Sequence, residues 1–256
     1  MAHINSQLKE IYDYHWSGLV SAADSLMTAP IKPANPLLIR INEEAYEQSD
    51  LRIMYCGQET YGWGGSSKGQ SALGAKSVDE LAATYEKYFT NGGYKEKELG
   101  KRVFWRAVEK FDQALKSAFP DRNVYSIWNN ISKIGIADRK GMNAKIRKLE
   151  RDHFPVFREE LALLKPDLVI FMTGPNRDGD ISFNLPKPDF FAVSGEIKKR
   201  ALARVNSSKL TRPALRLYHA LEGKCHHDQT KHPVHTRLRL PGRPQWRQAG
   251  RAQENR

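Results

Sequence analysis

A carboxylate, an amide and an imidazole each stand at or just after the end of a short apolar segment. Glu59 follows LRIMYC, Asn130 follows NVYSIW, and His219 ends ALRLYH. A carboxylate can position water and stabilise a developing positive charge, an amide can read the edge of a base, and an imidazole can stabilise a departing oxygen. This set suits hydrolysis of the glycosidic bond to a base, a reaction that needs no metal.

The glycine-rich segment that follows Cys56 contains a lysine, as phosphate-binding loops do. A Walker loop needs Gly-Lys-Ser/Thr in consecutive positions, whereas the order here is Ser67-Lys68-Gly69. The segment also lacks the G-x-G-x-x-G spacing that places a pyrophosphate on a helix N-terminus. The sequence therefore favours a catalytic loop or a plain turn over a phosphate cradle.

Four short segments rich in β-forming residues predict the strands that position these side chains. They lie at 51–56, 123–128, 167–173 and 214–219. Amphipathic stretches between them predict helices, the first of which is capped by Ser77. This alternation is typical of an α/β protein, and we predict a three-layer α/β/α sandwich with a central four-stranded parallel sheet. Ligands collect at the carboxyl ends of such strands, so the four following loops should share one cleft.

The chain divides into a neutral body and a basic end. At or after Glu196 lie 15 of the 41 Lys and Arg residues but only 4 of the 29 Asp and Glu residues. We expect residues 51–219 to form the α/β domain and residues 1–50 to supply a helix and connector that pack on it. Residues 220–256 have neither helical nor strand period, and we expect a basic tail that is disordered or non-native. Such a tail either holds phosphates non-specifically or is simply solvated.

Composition excludes several classes of protein. No apolar run approaches the ~20 residues of a membrane span, and the start lacks the profile of a secretory signal. Two cysteines argue against a disulfide scaffold and exclude an all-cysteine iron–sulfur cluster. A group of His and Cys residues in the tail lacks paired ligands on defined elements. We therefore expect a cytoplasmic monomer without membrane contact, metal or cofactor.

The segments at the strand ends resemble motifs of the uracil-DNA glycosylase superfamily. Residues 57–62, Gly-Gln-Glu-Thr-Tyr-Gly, are similar to the family's Gly-Gln-Asp-Pro-Tyr-His. Residues 130–133, Asn-Ile-Ser-Lys, resemble its base-binding asparagine motif, and Tyr218-His219 resembles part of its last motif. The resemblance runs from about Leu51 to His219, and it depends on the order of the motifs and their common place at strand ends.

The resemblance implies roles for individual residues. Glu59 would hold the attacking water, Asn130 would read the Watson–Crick edge of uracil, and His219 would donate to its carbonyl oxygen. Tyr61 would exclude the 5-methyl group of thymine. Further contacts to the base are expected from Gln58 and from Trp63, a stacking candidate without a family counterpart. Contacts to DNA phosphates are expected from Ser67, Lys68, Lys198 and Lys199.

Three departures from the family keep other functions open. Glu59 stands where the family has aspartate, Thr60 replaces a proline and should leave the loop less rigid, and Ala220 replaces the proline after the histidine. A non-catalytic, nucleic-acid-binding member of the same fold is therefore one alternative. An unrelated α/β hydrolase or nucleotide-binding protein is another. In that case Glu59 is an exposed loop carboxylate, Asn130 a turn former and His219 a strand-end residue.

Overall fold

A computed structural model describes residues 3–65, 72–98, 101–208, 210 and 212–218. These residues belong to one unit with the bounds Met1–Glu222. The predictions for Ser67, Lys68 and His219, and for the tail at 220–256, lie outside the described residues and stay predictions.

The described residues form eight α-helices and six β-strands. The helices are α1 Ile4–Met27, α2 Glu43–Glu47, α3 Val78–Tyr85, α4 Gly93–Lys97, α5 Val103–Ala118, α6 Ala144–His153, α7 Phe157–Leu164 and α8 Asp178–Asn184. The strands are β1 Leu51–Gly57, β2 Val124–Asn130, β3 Leu168–Phe171, β4 Asp189–Ala192, β5 Leu202–Asn206 and β6 Ala214–Leu217. A π-helical turn, Glu86–Thr90, extends α3, and a 3₁₀ turn, Pro175–Arg177, precedes α8.

Local sequence signals explain several helix boundaries. Ser77 caps α3 in a reciprocal capping box with Glu80, as its position in the sequence predicts. Pro155 separates α6 from α7, because a proline ring cannot continue the hydrogen-bond ladder of the preceding turn. Another of the predicted amphipathic stretches forms α5.

The sheet is mixed, with the strand order β2-β1-β3-β6-β5-β4. The four predicted strands are β1, β2, β3 and β6, and they pair in parallel. The prediction of a four-stranded parallel sheet is nevertheless wrong, because β5 and β4 extend it with antiparallel pairs. Both added strands are short and half exposed. In β5 the buried Ala203 and Val205 alternate with the exposed Arg204, the pattern of a half-buried strand, over only five residues that follow a run of basic ones.

Helices cover both faces of the sheet. On one face the hydroxyl groups of Tyr55 and Ser126 donate to Asp112 of α5, at 2.7 and 2.8 Å. On the other face the amide of Asn129 donates to Glu160 of α7 at 2.9 Å. Because successive strand residues point to opposite faces, Ser126 and Asn129 of β2 meet different helices. The predicted layering of helices around a sheet is therefore present, with a wider sheet.

Residues 28–42 run from α1 along the loop that follows β2. The backbone amide of Ala34 donates to the carbonyl of Gly135 at 2.9 Å, and that of Leu37 donates to the carbonyl of Lys133 at 3.0 Å. Helix α1 itself contacts α3, α6 and α7. This N-terminal part therefore supports the loop that carries the second predicted motif.

In the described part of the chain, no helix combines the length and the apolar character needed to cross a membrane. Cytoplasmic location and a monomeric state stay predictions.

Candidate active site

The loops after the parallel strands meet at one edge of the sheet. The side-chain amide of Gln58 donates to the carbonyl of Thr173 at 3.0 Å, which joins the loops after β1 and β3. The amide of Ser132, after β2, donates to the carbonyl of Gln58 at 2.9 Å. The amide of Gly174 donates to the carbonyl of Leu217, the last residue of β6, at 3.0 Å. The described parts of these loops therefore lie side by side at this edge, and the cleft that the four loops should share stays a prediction, because the loop after β6 continues outside the described residues.

Asn130 is the last residue of β2 and lies opposite Gly57 in the sheet register. Its side chain is buried, with the residue only 2% exposed. Oδ1 accepts a hydrogen bond from the indole of Trp128 at 3.3 Å, whereas Nδ2 has no partner among the described residues. Buried amide donors are rarely left unpaired, at a cost of about 1–3 kcal/mol, unless a ligand or water completes them. Asn130 is thus a buried residue with donor capacity to spare, which is not the usual setting of a turn former.

The glycine before the first motif allows Asn130 to approach β1. A Cβ atom on Gly57 would lie 2.5 Å from Oδ1 of Asn130, closer than any real contact of this kind. The first two motifs therefore fit together at atomic distance, and the absence of a side chain at Gly57 is what makes room for the amide.

Glu59 is an ion-paired carboxylate whose side chain is only 9% exposed. Oε2 accepts a short hydrogen bond from Nη2 of Arg177, and Oε1 accepts from the backbone amide of Gly141 at 3.2 Å. Burial raises the pKa of Glu59, and the positive charge of Arg177 opposes that rise. The interpretation of Glu59 as an exposed loop carboxylate is wrong.

Sequence reasoning missed the charged cluster behind Glu59. Asp180 of α8 accepts from Nη1 of Arg177 at 3.3 Å and from Nη2 of Arg151 at 3.0 Å, and it lies 3.1 Å from Nε of Arg147. The sequence signal was weak, because Arg177 and Asp180 follow a Gly-Pro-Asn turn that offers no catalytic motif. Three guanidinium groups thus surround two carboxylates beside the strand ends.

Thr60 holds the first loop in place. Its hydroxyl accepts a hydrogen bond from the amide of Gly135 at 2.8 Å. A Cβ atom on Gly135 would lie 1.9 Å from the carbonyl oxygen of Thr60, so the two loops touch backbone to backbone. The threonine thus adds a hydrogen bond where the family motif has a proline, and the expectation of a less rigid loop stays a prediction.

A buried ion pair lies beneath Asn130. Nζ of Lys133 donates to the two carboxylate oxygens of Glu160 at 2.7 and 2.9 Å and to Oδ1 of Asn129 at 2.7 Å. The same Oδ1 accepts from the backbone amide of Asn130 at 2.8 Å. Burial lowers the pKa of Lys133, and the charge of Glu160 opposes that change. The lysine of the second motif therefore supports the backbone of Asn130 from the core side, through Asn129.

The two aromatic candidates lie in different environments. The ring of Trp63 is almost buried and packs edge to face on Tyr88 and Trp128, with centroid distances of 5.6 and 5.2 Å. Tyr61 is 46% exposed, and the guanidinium of Arg102 lies 5.6 Å from its ring centroid. Trp63 has the contacts of a core residue, so of these two side chains Tyr61 is the one with an exposed surface.

Lys198 and Lys199 are exposed and precede β5. Because β5 is antiparallel to β6 and pairs Leu202 with Leu217, this segment lies at the same edge as the strand ends. The buried guanidinium of Arg216 donates to the carbonyl of Lys199 at 2.9 Å and so fixes the segment. Both lysines are available to a negatively charged ligand at that edge.

Among the described residues, no group of His, Cys, Asp and Glu side chains is arranged to hold a metal ion. No protein-family model matches the chain, and no curated protein matches it either.

Proposed function

We propose that the protein is a DNA glycosylase of the uracil-DNA glycosylase superfamily. It hydrolyses the N-glycosidic bond of uracil, or of a related deaminated base, after the base is flipped out of DNA. The observation that carries this proposal is the buried amide of Asn130, which keeps unpaired donors at the strand edge beside the loop of Glu59.

Asn130 supplies the base specificity in this proposal. Its Nδ2 donates to a carbonyl oxygen of uracil, and its Oδ1 accepts from the adjacent ring N–H. Cytosine presents an amino donor where uracil presents that carbonyl oxygen, so the same amide would face a donor and lose its hydrogen bonds. Because the amide is held by Trp128 and by the close approach of Gly57, it cannot rotate freely to suit cytosine.

Glu59 acts on the sugar side of the bond. As an anion it orients a water molecule toward the anomeric carbon and stabilises the oxocarbenium-like charge that develops there. Each carboxylate oxygen can accept two hydrogen bonds, so Oε1 keeps capacity for water beside its bond from Gly141. Lys198 and Lys199 hold backbone phosphates, and His219 donates to the base that departs.

The second candidate function is nucleic-acid binding without catalysis. The bonds from Arg177 and Gly141 favour it, because they use one acceptor position on each oxygen of Glu59, and the side chain is only 9% exposed to water. In this case Asn130 still receives a base, and the bond to the sugar stays intact.

Base release from an oligonucleotide with one labelled uracil tests the proposal, with alkali to reveal abasic sites. Glu59→Gln and Asn130→Asp are compared with matched controls. Glu86→Gln removes a carboxylate that pairs with an arginine on the surface, and Asn143→Asp keeps a side chain able to cap α6. We expect each site variant to lose about 100-fold or more of the rate, since one positioned group contributes that much to catalysis.

The outcomes separate the two candidates. Loss in both site variants with full activity in both controls supports the glycosylase. If the wild type binds uracil-containing DNA without releasing the base, the result supports the binding function and contradicts the glycosylase. Equal release by the wild type and both site variants contradicts the placement of the active site.

A further inference from the structure

We propose that Arg177 is the positioning residue that holds Glu59 as a buried anion and fixes the direction of its carboxylate. The inference rests on the proposed function, in which Glu59 orients the attacking water. It assigns a role to a residue outside all the motifs that the sequence offers, on the turn after β3.

The geometry of the guanidinium supports a positioning role. Arg177 is buried and uses two different nitrogens for two carboxylates, Nη2 for Glu59 and Nη1 for Asp180. The planar guanidinium presents its donors in a fixed fork, so binding one carboxylate restricts the direction in which it binds the other. Asp180 therefore sets the plane of the guanidinium, and the guanidinium sets the position of Oε2 of Glu59.

The backbone that carries Arg177 is itself fixed. The 3₁₀ turn Pro175–Arg177 begins after Gly174, whose φ is +70°. A Cβ atom at Gly174 would lie 2.5 Å from Cδ2 of Tyr218, so the turn lies tight against the segment after β6. The amide of Gly174 also donates to the carbonyl of Leu217. The guanidinium thus starts from a backbone position that neighbouring strands determine.

The surrounding charges leave Arg177 as the main cation for Glu59. Asp180 is already paired with Arg147 and Arg151 of α6, so its own charge is compensated without Arg177. The positive charge of Arg177 can therefore stabilise chiefly the Glu59 anion, although Arg177 also donates a hydrogen bond to Asp180. Removal of Arg177 would leave Glu59 buried with one backbone amide as its remaining hydrogen-bond donor among the described residues.

The charge of Glu59 decides whether it can orient water, and Arg177 affects that charge. Burial raises the pKa of Glu59 and favours its neutral form, which lacks the charge that orients water. Arg177 opposes this most strongly, the amide of Gly141 and the charge of Arg147 act in the same direction, and Asp180 acts in the opposite one. Arg177 thereby allows the carboxylate to be both buried and charged.

The test is a ¹³C NMR titration of glutamate side chains in the full-length protein. The Glu59→Gln variant identifies the resonance of Glu59 by its loss. In Arg177→Met we expect the titration midpoint of Glu59 to move to higher pH, and in Arg177→Lys, which keeps the charge, to stay closer to the wild type. Arg40→Met is the matched control, because Arg40 pairs with Glu86 on the surface at 3.3 Å. A midpoint that is unchanged in folded Arg177→Met contradicts the proposal.

A second variant tests the same coupling with the opposite sign. Asp180→Asn removes a negative charge that disfavours ionisation of Glu59, so we expect its midpoint to move to lower pH. A midpoint that rises in Asp180→Asn would contradict the charges assigned to this cluster. If Arg177→Met does not fold, as checked by circular dichroism, Arg177→Gln takes its place, and an unchanged midpoint in that folded variant contradicts the proposal.

The pH dependence of base release separates this inference from the proposed function. If the wild type releases uracil, the acidic limb of its rate profile should move to higher pH in Arg177→Met and recover in Arg177→Lys. If uracil is released and the titration midpoint of Glu59 is the same in Arg177→Met as in the wild type, the proposed role of Arg177 is wrong and the glycosylase proposal is unaffected. If the midpoint of Glu59 moves in Arg177→Met but the wild type releases no uracil, Arg177 is the residue that keeps Glu59 charged and the proposed glycosylase function is wrong.

Discussion

The buried ion pair between Lys133 and Glu160 should dominate the stability of the site. Both residues are fully buried, and Tyr12 and Asn129 also donate to Glu160, at 2.7 and 2.9 Å. Lys133→Met removes the positive charge and leaves the carboxylate with neutral donors alone. Breaking one partner of a buried pair costs about 3–5 kcal/mol, because the remaining charge stays away from water. We expect a loss of that size in the free energy of unfolding.

The double variant distinguishes the cost of an unpaired buried charge from the cost of lost packing. Glu160→Gln keeps an acceptor for Tyr12 but leaves Lys133 as an uncompensated cation, so it should also cost several kcal/mol. When Lys133→Met and Glu160→Gln are combined, no buried charge remains. We therefore expect the double variant to lose clearly less stability than the two single variants added together.

Urea unfolding followed by circular dichroism and tryptophan fluorescence measures these differences. With a slope of about 1–3 kcal/mol per molar urea, Lys133→Met should unfold at least about 1 M earlier than the wild type. Lys9→Met is the control, since its partners Asp13 and Asp79 are 49% and 70% exposed and such surface pairs contribute about 1 kcal/mol or less each. A loss in Lys133→Met no larger than in this control, or strict additivity in the double variant, would refute the reasoning.

Three further outcomes are expected. Gly57→Ala should reduce base release about 100-fold, measured as above, because its Cβ would displace the amide of Asn130; an unchanged rate would contradict the proposed contact. Glu150 has a pKa raised to about 7 by burial, so the folded protein holds the proton more tightly than the unfolded chain, and the stabilisation is full below about pH 4 and lost as the pH rises through 7. Urea unfolding should show this loss of stability in the wild type, with an upper bound of about 3 kcal/mol that is lowered by the partial exposure of Glu150, and the loss should be smaller in Glu150→Gln. Trp63→Ala should cost about 3–5 kcal/mol and Tyr61→Ala less than about 1 kcal/mol in the same assay, since only the first ring is packed in the core; equal losses would contradict that difference.

The sequence predicted the parallel part of the sheet well because those strands are buried on both faces. In β1 the residues from Ile53 to Gly57 are all buried, and apart from Arg52 near its start the strand is a continuous run without charged residues. The same reasoning failed for β4 and β5, where one face is open and only alternate residues need to be apolar. Over four or five residues, such an alternation is too short to distinguish a strand from a loop that contains basic residues.

The sequence by itself determined that Glu59 and Asn130 stand at or just after the ends of two apolar strands, since local pattern places both residues there. The tertiary structure alone decided their partners. Arg177 is 118 positions from Glu59, and Tyr12 is 148 positions from Glu160. No local preference relates residues so far apart, because their contact depends on how helices pack on both faces of the sheet. The direction of the Glu59 carboxylate, its burial and its charge follow from those distant partners.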